Sequence, residues 1–184
     1  MRQLTEEETK TMLSKLANYC GRNINNLIVG SDDSDPSVFR LHGNRVYYLK
    51  SSLANLSTAI PRANLLTLGT CLGKFTKGGA FRIHITALDI IAPVCRYKAF
   101  IKDNGVMPFL YGGNCVKAHI GRWSDDVPEL AGVVVVDMHD NPLGFGISKV
   151  SSAASKNIAP TDTVIFSQAD IGQYLREEDT LFTT

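Results

Sequence analysis

GVVVVDMHDNPLGFGISKV, residues 132–150, is the stretch that decides the fold. Val133 to Val136 are β-branched and too few for a helix, so they read as a strand. Asp140-Asn141-Pro142 has turn chemistry, and Leu143 to Val150 reads as the returning strand of a hairpin. Gly144 and Gly146 have no strand–GxGxxG–helix context, so they are expected to let this strand pass close to neighbouring backbone or to a ligand.

Working outward, TDTVIFS (161–167) is a further strand. Upstream, Tyr97, Ala99 and Ile101 alternate with Arg96, Lys98 and Lys102, the pattern of a half-buried strand opening a new sheet. PFLYGGN (108–114) reads as a short apolar turn. Ser167 and Asp170 are expected to open a last helix with Ile171, Tyr174 and Leu175 buried. Short strands, Gly-rich turns and little helix predict a compact β-barrel for this half.

The first half reads as α/β. Thr5-Glu6-Glu7-Glu8 is a capping-box pattern, Met12, Leu13, Leu16 and Cys20 form one apolar stripe, and Gly21 offers a stop. DDSDPS (32–37) is a loop, followed by two strands joined at Gly43-Asn44. Ser51 or Ser52 is expected to cap a short helix ahead of Pro61. LLTLGTCLGKFT (65–76) reads as strand, kink, strand, Lys77-Gly78-Gly79 as a turn, and AFRIHITAL (80–88) as a strand leading into a short apolar helix that Pro93 ends. These breaks predict a domain of residues 1–94, a second of 95–175 and a flexible tail of 176–184, with the boundary at 92–95.

The overall charge of +1 hides a segregation. Residues 1–37 carry −2, residues 38–122 carry twelve basic against two acidic side chains (+10), and residues 123–184 carry −7. A field of that sign in the middle attracts polyanions through counterion release, unless the acidic segments fold back and neutralise it. Cys20, Cys71, Cys95 and Cys115 show no CxxC spacing, and the MRQLTEEETK start has no apolar signal region. Together they predict a reduced, non-secreted protein in which the Asn55 sequon is idle. No run approaches a membrane span.

Several chemistries find little support. GTCLGKF (69–75) has three residues, not four, between its glycines, and Phe75 stands where a phosphate loop needs a hydroxyl. His42, His84, His119 and His139 share no metal-ligand spacing, and no cofactor or metal is expected. Cys71 and His84 leave a Cys–His pair open, beside the plainer reading of a buried thiol and a strand histidine. Basic residues remain. Arg40, Arg45, Lys74, Lys77 and Arg82 are expected on one face of the first sheet. Arg96, Lys98, Lys117, Arg122, Lys149 and Lys156 are candidate RNA contacts, the last two isolated in an acidic third around VSSAAS.

The second half resembles a PUA domain, carried by YKAFIK (97–102), FLYGGNCVKAHIGR (109–122), GVVVVD (132–137) and NPLGFGISK (141–149). With MRQLTEEET (1–9), FRLHGNRVYYL (39–49), LGTCLGKFTK (68–77), FRIHITALD (81–89) and FSQADIGQYLREEDTL (166–181), the whole chain resembles the Nip-seven family of large-ribosomal-subunit assembly factors. The resemblance implies a non-catalytic protein, an α/β domain followed by a PUA-type barrel, acting in pre-rRNA processing and 60S subunit biogenesis in the nucleus and nucleolus, and also in the cytoplasm. It implies single-stranded, uridine-rich pre-rRNA and pre-60S assembly factors as partners of a protein that is monomeric outside the pre-ribosome, with no membrane. RNA contact would fall to the PUA half, at Lys149 and Lys156. The alternatives are a protein–protein scaffold with little RNA contact, or a subunit of an RNA-modification enzyme.

Overall fold

The computed structural model describes residues 1–29, 34–61 and 64–178. Helix α1 (Glu6–Cys20) opens with the expected box: Glu8 N–H donates to Thr5 Oγ1 (3.3 Å) and Thr5 N–H to the Glu8 carboxylate (2.9 Å). Arg2 donates to the same carboxylate, and this pair together with the Thr5 amide holds Glu8 down at about 2. Met12, Leu16 and Cys20 are fully buried, joined by Tyr19, and Gly21 ends the helix at φ 57°. After α2 (Ile24–Val29) comes a four-stranded antiparallel sheet in the order β1 (Ser37–His42), β2 (Arg45–Lys50), β3 (Thr70–Phe75), β4 (Phe81–Ile83). Gly43 alone takes the left-handed backbone (φ 60°) in the β1–β2 connection, as a type II′ turn requires.

Two expectations fail here for local reasons. Residues 65–68 are not a strand; Gly69 (φ 77°) turns the chain, and only Thr70–Phe75 joins the ladder. Neither serine caps α3 (Ser51–Leu56). Asp35, from the loop before β1, accepts from Ser52 N–H (2.9 Å) and Ser52 Oγ–H (2.7 Å), so a carboxylate distant in sequence satisfies that helix end. Asp32 and Asp33 of the expected loop lie outside the described residues. The run after β4 becomes a 3₁₀ turn and α4 (Leu88–Ile91), ending before Pro93.

The second sheet has six strands in the order β6 (Cys115–Val116), β10 (Thr163–Asp170), β9 (Pro142–Ser148), β8 (Gly132–Val136), β5 (Lys98–Ile101), β7 (Ile120–Trp123), curled into a nearly closed barrel. The expected β8–β9 hairpin forms, with Val134 opposite Phe145. Its turn is built one step earlier than expected. Asp137 accepts from His139 and Asn141 amides (2.8 and 2.9 Å), Asp140 takes φ 69°, and Pro142 begins β9, where a missing N–H is tolerated. Cβ atoms at Gly144 and Gly146 would meet the carbonyl oxygens of Ala169 (2.3 Å) and Phe166 (2.4 Å), so these glycines admit β10.

Two helices differ from expectation. Residues 103–110 form α5 (Asp103–Leu110), which Gly105 and Pro108 conceal in the sequence. The expected last helix is only α6 (Gln173–Arg176), because β10 runs through Asp170. Tyr174 and Leu175 are 38% and 86% exposed rather than buried. Among the described residues no helix is long and apolar enough to cross a membrane, and all four cysteines are free thiols.

The two sheets share a core. Met12, Leu16 and Tyr19 of α1 pack with first-sheet residues on one side and with Phe100, Val134, Val136 and Phe145 on the other. Val133 and Val135 point into the barrel's own core instead. The expected half-buried strand at 96–102 is therefore buried on both faces from Ala99 to Ile101: one face is the barrel, the other lies under the first unit. Tyr19 meets Phe145 edge-on at 5.4 Å, and Arg96 N–H donates to Tyr19 C=O at 2.8 Å.

Candidate nucleic-acid interface

The serine-rich segment after β9 is a structural clasp. Ser152 N–H donates to Val127 C=O (2.9 Å) and Val127 N–H to Ser152 Oγ (3.1 Å). Ser155 donates to Ser152 C=O (2.7 Å) and accepts from the Trp123 indole (3.3 Å). The clasp places Lys156 opposite Lys117 and the end of β7, enclosing a groove of about 430 Å³ that Lys117, Arg122, Trp123, Ser155 and Lys156 line. Arg122, itself exposed, lies 3.7 Å over the Phe100 ring, a cation–π contact that orients its guanidinium. Among the described residues Lys117, Arg122 and Lys156 have no ion-pair partner, although Asp125 and Asp126 stand on the same rim. Trp123, not singled out from sequence, is the chain's one tryptophan and adjoins a candidate arginine; that adjacency was the available signal.

The remaining candidates disperse. Lys149 is exposed and does not line the groove; its ammonium is 6.0 Å from the Phe166 ring centroid. Lys98 is tied to Asp140 at 2.9 Å, because the left-handed Asp140 folds the hairpin turn back toward β5. Arg96 stacks on Tyr97 (4.8 Å) at the junction of the two units, on the chain segment that reaches Tyr19. Lys98 is thus neutralised within the molecule, and Arg96 does not line the groove.

On the first sheet, Arg45, Lys74 and Arg82 stand at one register across β2, β3 and β4, and Arg40 pairs with Tyr47 on the same face, opposite α1. Lys77 lies in the turn beyond. Burial, then the charges of Arg45 and Lys74, pushes His84 down to about 4, so it is neutral near pH 7. Burial raises the Cys71 thiol, which donates to Gly73 C=O (3.8 Å). His84 Nδ1 is buried without a hydrogen-bond partner. A raised thiol and a histidine not bonded to it lack the nucleophile–base arrangement that activation requires.

Comparison with known proteins agrees with this architecture. A family model described as the NIP7/UPF0113 pre-PUA domain matches residues 1–85, and one described as the UPF0113 PUA domain matches residues 97–179. The chain is 58% identical over 184 residues to the 60S ribosome subunit biogenesis protein NIP7 of Saccharomyces cerevisiae, covering 100% of both. It is 53% identical over 182 residues to nip7 of Schizosaccharomyces pombe, covering 99% of this chain and 100% of that one. Its fold is similar to a PUA-domain protein of Aeropyrum pernix K1 (TM-score 0.61, 13% identity, covering 96% of this chain and 89% of that one). Barrel, preceding α/β unit and full-length likeness converge: the chain belongs to the NIP7 family, a pre-PUA domain followed by a PUA domain.

Proposed function

We propose that this chain is a non-catalytic RNA-binding assembly factor for pre-rRNA processing and 60S subunit biogenesis, acting in the nucleolus. Its relatives carry the name of 60S ribosome subunit biogenesis proteins. The observation that carries RNA contact is the groove, where Lys117 and Lys156, without ion-pair partners among the described residues, stand beside a half-buried indole. Cations fix a phosphate backbone, and an aromatic face accepts an unstacked base, the pairing used by single-strand binders. The partners are single-stranded pre-rRNA, with uridine-rich segments preferred, and other pre-60S factors, the free protein being a monomer. The unit boundary at 92–95 belongs to the same reading.

The test is a salt titration of full-length protein binding a single-stranded oligouridylate. Each lost phosphate contact is expected to flatten log K against log salt by about 0.7. K117E/K156E is expected to reduce that slope by about 1.4 and weaken binding at least tenfold at moderate salt, on the same counterion argument. An unchanged slope assigns RNA contact elsewhere. Association with assembly factors after nuclease treatment, with no affinity for free RNA, favours a scaffold instead.

A further inference from the structure

The outer face of the first sheet carries a row of basic residues that the Trp123 groove does not use. His42 pairs with Arg45, Arg45 with Lys74, and Lys74 with Arg82, so one line of cross-strand neighbours crosses β1, β2, β3 and β4. Cross-strand partners point to the same side and adjacent strands lie about 5 Å apart, so Arg45, Lys74 and Arg82 stand abreast over about 10 Å. Their chain neighbours Val46, Phe75 and Phe81 turn the other way, into the core around α1. Arg45 is buried, Lys74 half-buried and Arg82 exposed. Arg40, opposite Tyr47, lies on the same side, and the exposed Lys77 follows in the next turn.

Like charges directly opposite one another destabilise a ladder. Among the described residues Lys74 and Arg82 have no ion-pair partner to offset this. The charges acting on His84, beside the row, are those of Arg45 and Lys74, with no carboxylate of the described residues among them. An external polyanion would balance the charge that the fold leaves open here. The exposed aromatic residues among those described, Tyr111, Phe166 and Tyr174, all belong to the second unit. The row can therefore grip phosphates, but it offers no platform for an unstacked base.

We propose that this face of the pre-PUA unit holds the phosphate backbone of double-stranded RNA. Lys74 and Arg82 make the contacts, Arg45 adds its charge from below, and Arg40 and Lys77 flank them. The inference rests on the reading of the chain as an RNA binder and adds a second surface with a different ligand. A duplex presents phosphates and 2′-hydroxyls while its bases stay stacked, so shape and backbone contacts are what a protein can read. A ring-free row of cations on a sheet suits that ligand, as the indole-lined groove suits a single strand.

The test compares two probes on the full chain, a blunt RNA duplex of about 16 base pairs and a single-stranded oligouridylate. K74T/R82T replaces the two accessible cations by a strand-forming residue. It is expected to raise the Tm of the free protein by about 1–3 °C, because the opposed like charges are gone. The same variant is expected to bind the duplex at least about tenfold more weakly and to flatten log K against log salt by about 1.8, two phosphate contacts at about 0.9 each. Its binding of oligouridylate is expected to stay unchanged, and K117E/K156E to show the converse. An unchanged duplex slope in K74T/R82T, or a duplex that the unaltered chain does not bind while it binds oligouridylate, overturns this face and leaves the groove standing. Equal losses with both probes overturn it as a separate surface. A Tm that falls means the chain neutralises the row itself, and overturns it too. Failure of the unaltered chain to bind either probe overturns this face together with the RNA-binding reading.

Discussion

Arg176 donates to both oxygens of Asp170, at 2.9 and 3.1 Å, and to the Leu110 carbonyl. The Asp170 side chain is 2% exposed, so its charge depends on this one guanidinium, which ties the first residue of the expected tail to the barrel. R176A strands a buried carboxylate. It is expected to lower unfolding free energy by about 3 kcal/mol in urea denaturation, the size typical of a buried pair that loses one partner. His84 supplies the opposite kind of charge effect. Its native pKa, about 4, lies below the unfolded value near 6.5, so between these pH values the unfolded chain binds the extra proton. Its contribution is fully present above pH 6.5 and is lost as pH falls toward 4. H84Q is expected to flatten the stability–pH curve in that window, measured by denaturation at several pH values; an unaltered slope would place the titration elsewhere.

Elements are held by contacts of very different sequence range, and this decides what can be read in advance. The α1 box and the β8–β9 hairpin lie within a few residues of their partners, so capping and turn chemistry reveals them. The α3 cap does not: Asp35 is 17 residues from Ser52, and no window centred on the helix contains it. Helix α5 is masked by Gly105 and Pro108, and is kept because Gly105 admits the His119 side chain, to which a Cβ would stand 2.6 Å away. The groove is legible only in part for the same reason. Charge runs point to Lys117, Arg122 and Lys156, whereas Lys98 needs the Asp140 turn conformation before its neutralisation is visible. At Gly146 the element-scale constraint is directly testable. A methyl there meets the Phe166 carbonyl at 2.4 Å and Ile165 Cγ2 at 2.7 Å, so the β9–β10 ladder must part. G146A is expected to cost at least about 2 kcal/mol by overpacking and to raise amide exchange along β10, read by mass spectrometry. An exchange pattern like that of the unaltered chain would mean the strands move apart without cost.

At the scale of the whole molecule, the segregated charges do not collapse onto one another. From residue 123 to 176, among the described residues, Asp140 is the carboxylate that pairs with a cation of the middle region; Asp137 and Asp162 cap their own turns and Asp170 holds Arg176. Lys117, Arg122 and Lys156 therefore keep no carboxylate partner among the described residues, and the acidic third serves local structure. The apolar side of the same organisation is the core shared through Tyr19, Phe100, Val134 and Phe145. Gly132 belongs to it, because a side chain there would strike the Tyr19 ring at 2.7 Å. With so much of α1 buried against both sheets, neither unit keeps its apolar face covered once the other opens. Unfolding is therefore expected as one transition: Trp123 fluorescence, reporting the barrel, and hydrogen exchange in α1, reporting the first unit, give the same free energy. F145A removes the ring that Tyr19 packs against and is expected to lower both values together by about 3–5 kcal/mol. Two separated midpoints, or a loss confined to the Trp123 signal, would mean that the units fold independently.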